Sequence, residues 1–136
     1  MAALEEYLRF LEEAARLDSA AFAREPQNYA SAERFLQLAI EAVFDIGTHC
    51  IAALGLTRPE RYADILPTLA GGGVVRPETA AELTSLAGFR NILVHDYIKI
   101  DRGRVHEFLK TRLDGFRHFA ADISAFLQQH GGQRQA

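Results

Sequence analysis

A long series of apolar residues at helical spacing runs through the first half of the chain. Between residues 32 and 54 they recur every three or four positions, and the series stops at Gly55, a typical helix terminator. Its members are Ala32, Phe35, Leu36, Ala39, Ile40, Val43, Ile46, Gly47, Cys50, Ile51 and Leu54. A helix with so long an apolar face must pack against other elements, so the remaining segments have to cover it.

Other segments repeat this spacing, and none alternates convincingly enough to be a strand. Leucines at positions 4, 8 and 11 predict a first helix, which a loop over residues 24–28 ends. Thr57 and Pro59 resemble the cap and first turn of a third helix. Pro67 should kink or interrupt that helix, because proline lacks a backbone N–H.

The second half of the chain predicts two more helices. The fourth opens at Pro77 and continues to Tyr97, and the fifth follows a turn at residues 101–104. We therefore expect an all-α, antiparallel bundle of about five helices. We expect one domain over residues 1–130 and a flexible tail over residues 131–136.

Composition favours a water-soluble globular protein. Of 136 residues, 49% are apolar and 24% are charged, close to the average for soluble domains. No uncharged stretch approaches the roughly 20 residues of a membrane-spanning helix. The N-terminal segment carries glutamates where a secretion signal would be basic. We expect a cytoplasmic protein with no membrane partner, whose single cysteine, Cys50, is a small buried residue.

Charge is divided unevenly along the chain. Residues 1–60 hold 5 Lys/Arg and 10 Asp/Glu, whereas residues 61–136 hold 10 Lys/Arg and 8 Asp/Glu. The net charge of −3 argues against a protein that binds nucleic acid through a general positive coat. The basic residues from Lys99 to Arg117 either attract phosphate or form the solvated face of a helix.

The stretch GFRNILVHDY, residues 88–97, concentrates reactive side chains at the end of the fourth helix. Arg90 and Tyr97 are seven residues apart, so they share a helix face with leucines. A buried guanidinium is costly unless it is paired or faces a cleft or a subunit boundary. His95 follows Arg90 by five residues and would point away from it on a regular helix. Either the helix ends or loosens near Val94, or the two residues meet across a twofold dimer.

These residue types suit phosphodiester cleavage without a metal. Histidine, with an ordinary pKa near 6.5, can take a proton from a ribose 2′-OH and return one to a leaving 5′-oxygen. Arginine can hold the phosphate and offset its developing charge. Asn91 and Asp96 would orient the imidazole or the substrate. A structural role, with Arg90 and Asp96 in ion pairs at a helix end, fits the same spacing.

Residues 90–97 resemble the R-N-x-x-x-H-x-Y signature of the HepT-like toxins, a branch of the HEPN superfamily of small helical ribonucleases. The resemblance covers roughly residues 30–127. It includes Ala32-Glu33-Arg34, Ala39-Ile40-Glu41-Ala42, Asp45-Ile46-Gly47 and the stretch LAGFRNILVHDYIKID. It implies a five-helix bundle, a homodimer with two motifs in one cleft, and metal-independent RNA cleavage that leaves a 2′,3′-cyclic phosphate.

Carried onto this sequence, the resemblance makes Arg90 and His95 catalytic and Asn91 supporting. It also implies a partner, a minimal nucleotidyltransferase antitoxin that attaches AMP to Tyr97 and so blocks an anionic substrate by volume and charge. The chain is then the toxin of a type VII HEPN/MNT system, with no cofactor of its own. The alternative is a non-catalytic helical module that serves only as partner and substrate of the transferase, or a plain helical scaffold.

Two carboxylates of the long helix, Glu41 and Asp45, lie one turn apart. They either reach the motif cleft and buffer Arg90 or face solvent. Asp45 and His49 also have metal-ligand spacing, but two ligands without a third do not make a site, and we expect no metal. The remaining histidines are expected at the surface: His106, His118 and His130.

Overall fold

Helices form all the regular structure in the part of the chain that the computed structural model describes. That part comprises residues 1–95 and 101–134, without the side chains of residues 95 and 131–134. The helices are α1 (Ala2–Ala15), α2 (Ser19–Arg24), α3 (Pro26–Ala53), α4 (Ile65–Gly71), α5 (Pro77–Glu82), α6 (Leu86–His95), α7 (Arg102–Thr111) and α8 (Leu113–Arg134). A 3₁₀ turn over Tyr62–Asp64 precedes α4. The predicted all-α bundle is confirmed.

Helix α3 lies at the centre of the bundle and contacts α1, α2, α4 and α6. Its buried side chains are those of the predicted apolar face: Ala32, Leu36, Ala39, Ile40, Val43, Phe44, Gly47, Cys50 and Ile51. By length and composition alone, α3 could also cross a membrane. Because this face is packed inside the protein, we interpret α3 as a core helix.

Of the loop predicted over residues 24–28, only Glu25 is non-helical, because α2 ends at Arg24 and α3 begins at Pro26. Pro26 is the first residue of α3, where a missing N–H is tolerated because that group has no intrahelical acceptor. The first helix ends earlier than predicted, at Ala15. Asp18 then begins α2 by accepting a hydrogen bond from the backbone N–H of Ala21 at 2.7 Å.

The third helix begins later than predicted. Thr57 and Pro59 lie in a non-helical segment, and helical backbone starts with the 3₁₀ turn at Tyr62. Pro67 therefore falls in the first turn of α4, whose N–H groups have no intrahelical partner. The expected interruption at Pro67 is absent, and α4 continues to Gly71.

The predicted fourth helix is two helices, α5 and α6, separated by a turn at residues 83–85. The hydroxyl of Thr84 donates hydrogen bonds to the carbonyls of Ala80 and Ala81, at 3.2 and 2.9 Å. Such local bonds compete with continued α-helix. The helix that carries the motif consequently starts at Leu86.

The predicted fifth helix is also divided, into α7 and α8, at Arg112. The turn expected at residues 101–104 is instead the start of α7. Asp101 caps it by accepting hydrogen bonds from two backbone N–H groups, at 2.9 and 3.3 Å. Helix α8 extends to Arg134, past the point where we placed the start of the tail.

His106 is buried, which contradicts its predicted place at the surface. The residue is 2% exposed, its ring stacks on Phe22 at 4.5 Å between centroids, and its Nδ1 lies 3.5 Å from the hydroxyl of Ser19. Within the described residues, its Nε2 has no hydrogen-bond partner. Burial, together with the positive charge of Lys110, lowers the pKa of His106. His118 and His130 are exposed, as predicted.

His106 should make the stability of the fold depend on pH. Because its pKa is lower in the folded chain, the unfolded chain binds more protons below about pH 6.5, and the free energy of unfolding falls there as the pH decreases. The loss is at most about 1.4 kcal/mol per pH unit. Urea unfolding between about pH 7.5 and 5.5 should show this loss in the wild type.

The variant His106→Phe should show a smaller decrease over the same pH range. The matched control is His49→Gln, which changes a histidine that is exposed and should keep the pH dependence of the wild type. Identical pH profiles for the wild type and His106→Phe would contradict the assignment.

Candidate functional site

Helix α6 carries Arg90 towards α3. Leu86 and Leu93 lie four residues before and three residues after Arg90, so all three share one helix face. Both leucines are buried, and α6 packs against α3. The arginine side chain is consequently only 18% exposed. Burial of this apolar face places a positive charge between two helices.

Two neighbours contact the guanidinium of Arg90. Its Cζ lies over the ring of Tyr62, 4.4 Å from the ring centroid. Its Nη2 lies 4.0 Å from Oε1 of Glu41, which is too long for a hydrogen bond. Glu41 Oε1 accepts a hydrogen bond from Nε2 of Gln37 at 3.2 Å. The carboxylate is therefore shared with Gln37 and forms only a loose ion pair with Arg90.

The hydrogen-bonding capacity of Arg90 is incompletely used. Its Nε is buried and has no hydrogen-bond partner in the described part of the chain. An aromatic ring attracts a cation without neutralising it. The guanidinium is thus held in place without being neutralised, and its exposed part, 18% of the side chain, is the part that an anion can reach. Phosphate and carboxylate are the groups that a guanidinium binds best.

Tyr62 reaches Arg90 because the segment before α4 folds over α3. Its ring also packs on Phe44 of α3, 5.0 Å between centroids, and about half of the residue is exposed. The close approach of α4 to α3 requires Gly47, where a Cβ would lie 2.8 Å from Cγ2 of Ile65. A glycine on the long helix therefore helps to set the position of the aromatic ring at the site.

The two carboxylates of the long helix take different positions. Glu41 is half-buried beside Arg90, whereas Asp45 is exposed and lines a groove next to Tyr62. Among the described residues, Asp45 forms no ion pair with Arg90. His49 lines the same groove. No group of three or more potential metal ligands is found in the described part of the chain.

The rest of the motif is only partly described. Asn91 is exposed, and α6 remains helical through His95. His95, directly after Val94, is the last described residue of this helix, so both predicted arrangements of Arg90 and His95 stay open. On a regular α-helix, five residues correspond to about 140° of rotation and about 7.5 Å of rise. The side chain of His95 and all of residues 96–100 lie outside the described residues.

Some of the basic residues after the motif have structural contacts. Arg102 lies over the ring of Tyr29, 3.7 Å from its centroid, and donates a hydrogen bond to the carbonyl of Ala23. Arg117 forms ion pairs with Glu12 and Asp114. These contacts favour the solvated, structural interpretation for those two residues over a general phosphate-attracting surface.

The chain is thus a small helical bundle whose motif helix carries an incompletely paired arginine, an arrangement suited to binding an anion. The family model named Ribonuclease HepT-like matches residues 4–123, and the chain belongs to this family. The predicted resemblance is therefore confirmed.

Two relatives are named nucleases. A tRNA nuclease HepT from Aphanizomenon flos-aquae is 28% identical over 95 residues, which are 70% of this chain and 65% of the relative. An mRNA nuclease HepT from Shewanella oneidensis is 30% identical over 90 residues, which are 66% of this chain and 68% of the relative. Together with the family, these names support the predicted enzyme class, an endoribonuclease.

A solved structure shares the fold. It is described as tri-AMPylated Shewanella oneidensis HEPN toxin in complex with MNT antitoxin. The similarity has a TM-score of 0.81 at 25% identity and covers 91% of this chain and 92% of the other. The likeness therefore extends over nearly the whole length of both chains.

Proposed function

We propose that this chain is the toxin of a HEPN/MNT toxin–antitoxin pair and cleaves RNA without a metal. The observation that carries the proposal is the state of Arg90. Its guanidinium is held in a partly buried position by Tyr62, has only a loose ion pair with Glu41, and keeps a buried N–H without a partner in the described residues. His95 lies five residues further along the same helix.

The proposed reaction is an internal transesterification. His95 removes the proton of a ribose 2′-OH, and that oxygen attacks the adjacent phosphorus. The bond to the 5′-oxygen breaks, and a proton from imidazolium converts this oxygen to a hydroxyl. Arg90 binds the non-bridging oxygens, whose negative charge increases in the transition state. The products are a 2′,3′-cyclic phosphate and a 5′-OH, with Asn91 and Asp96 in supporting roles.

A homodimer would solve the geometric problem that the regular helix creates. On a regular helix, two residues that are five positions apart lie on different faces, about 140° from each other. In a twofold dimer, the histidine of one chain can work beside the arginine of the other. We therefore propose that the cleft is completed by two copies of the motif.

Replacement of His95 should abolish the reaction. His95→Ala should reduce the rate of RNA cleavage by about 10²- to 10⁴-fold, because it removes the proton-transfer group. The measurement is cleavage of total RNA with chemical mapping of the 2′,3′-cyclic ends. His118→Ala, an exposed histidine on α8, is the control and should retain activity. Undiminished cleavage by His95→Ala would contradict the mechanism.

Mixed dimers test whether catalysis is shared between chains. Arg90→Ala and His95→Ala should each be inactive, but co-expression should form heterodimers with one intact composite site. We expect about a quarter of the wild-type rate, because half of the dimers are mixed and each has one active site. If native mass spectrometry shows that heterodimers form but they cleave no RNA, both catalytic residues of a site must lie on one chain.

The proposed partner is a nucleotidyltransferase that inactivates the chain by attaching AMP to Tyr97. The support is the likeness to a toxin described as AMPylated and bound to MNT antitoxin. AMP attached near Arg90 would place a bulky anion where the substrate phosphate binds. We place this pair in the cytoplasm, where its RNA substrates are located.

Tyr97 should be the acceptor of AMP. Incubation of the wild-type chain with the partner, ATP and Mg²⁺ should add one or more AMP units to its intact mass, and RNA cleavage should decrease in parallel. Tyr97→Phe should gain no mass, whereas the control Tyr7→Phe, in α1, should be modified like the wild type. AMP addition to Tyr97→Phe would contradict the assignment.

Modification without any RNA cleavage by the unmodified wild type would favour the alternative function. The chain would then be a non-catalytic helical module that serves as partner and substrate of the transferase.

A further inference from the structure

A groove of about 630 Å³ opens on the surface beside Tyr62, the residue whose ring contacts Arg90. One wall is the exposed face of α3, with Asp45, Thr48 and His49, and the other is the segment of residues 58–62. Its volume lies within the range of about 300–1,000 Å³ that is usual for ligand sites. The groove is open along one side, so part of a longer molecule can enter it.

The side chains of the groove combine one available cation with several polar groups. Arg58 is exposed and has no ion pair within the described residues, whereas Arg61 forms two hydrogen bonds with Asp64, at 3.1 and 3.2 Å. Asp45 and Glu60 balance the two arginines. Because the groove is nearly neutral, it should bind free phosphate weakly. It nevertheless offers one cation for a phosphate next to groups that can form hydrogen bonds with a base and a ribose.

Tyr62 connects this groove with the proposed catalytic arginine. Its ring lies against the guanidinium of Arg90 and also forms part of the groove lining. A polymer whose phosphate is bound by Arg90 therefore has a neighbouring nucleotide within reach of the groove. A free mononucleotide would use only one of the two adjacent sites.

We propose that the groove is a subsite for an unpaired nucleotide of the RNA, next to the phosphate that is cleaved. Arg58 binds the phosphate of that nucleotide, and the polar face of α3 contacts its base or ribose. The nucleotide is unpaired because its base must leave a helix to enter the groove. This inference rests on the proposed ribonuclease function and adds a substrate contact outside the R-x4-H motif.

Binding of a short labelled RNA tests the subsite. The full chain carrying His95→Ala prevents cleavage, and fluorescence anisotropy measures the affinity for a single-stranded hexanucleotide. Adding Arg58→Gln should weaken binding about 3- to 10-fold and reduce the slope of log affinity against log salt by about 0.7, the value for one phosphate contact. The matched control Arg9→Gln removes the same charge from an exposed site on α1 and should leave both quantities unchanged.

Photo-crosslinking gives a second measurement that does not depend on charge. A hexanucleotide with 4-thiouridine should crosslink to the peptide that contains residues 58–62. Equal effects of Arg58→Gln and Arg9→Gln, or crosslinks confined to other elements, would overturn the subsite. Tighter binding of 5′-AMP than of RNA, sensitive to Arg58→Gln, would also overturn it in favour of a free-nucleotide site.

Failure of the wider proposal has a different signature. If the unmodified wild type cleaves no RNA at all, the ribonuclease function fails. If the wild type cleaves and His95→Ala does not, but Arg58→Gln binds and cleaves RNA like the wild type, only the subsite fails.

Discussion

The contact between the Arg90 guanidinium and the ring of Tyr62 is the interaction on which the site depends. An arginine on an apolar helix face needs compensation, and a close carboxylate would provide it by cancelling the charge. Here the aromatic face holds the guanidinium at 4.4 Å, while Glu41 remains 4.0 Å away and also bonds to Gln37. The arginine is therefore ordered by the fold while it retains capacity to bind an anion.

One helix, α3, serves both the core and the site. Its buried face holds the bundle together, and Gly47 on that face lets α4 approach closely enough to place Tyr62. Its other residues supply Glu41 beside Arg90 and Asp45 in the groove. Because these residues are on one rigid element, a change in the packing of α3 on α4 would also move the ring that holds the arginine.

The sequence predicted features that depend on periodicity and missed those that depend on single contacts. Helical spacing, which can be read from the sequence alone, predicted the buried face of α3 and the position of Arg90 on an apolar helix face. Helical spacing did not predict the helix breaks at residues 83–85 and at Arg112, because the apolar pattern continues across them. At the first break, the hydrogen bonds of the Thr84 hydroxyl compete with continued helix. Tyr62 and the burial of His106 depend on elements distant in sequence, so spacing carried no signal for them.

The charge distribution of the chain favours the proposed control by attached AMP. The chain has a net charge of −3, and Arg102 and Arg117 are engaged in structural contacts. The proposed attraction of RNA therefore depends on a few local cations and not on a broadly positive surface. On a broadly positive surface, the neighbouring cations would screen the charge of one added phosphate. With Arg90 as the phosphate ligand of the proposed cleft, an AMP group attached at the proposed acceptor, Tyr97, would compete for that one cation. A protein with a broad basic coat would need a much larger change of charge to lose its substrate.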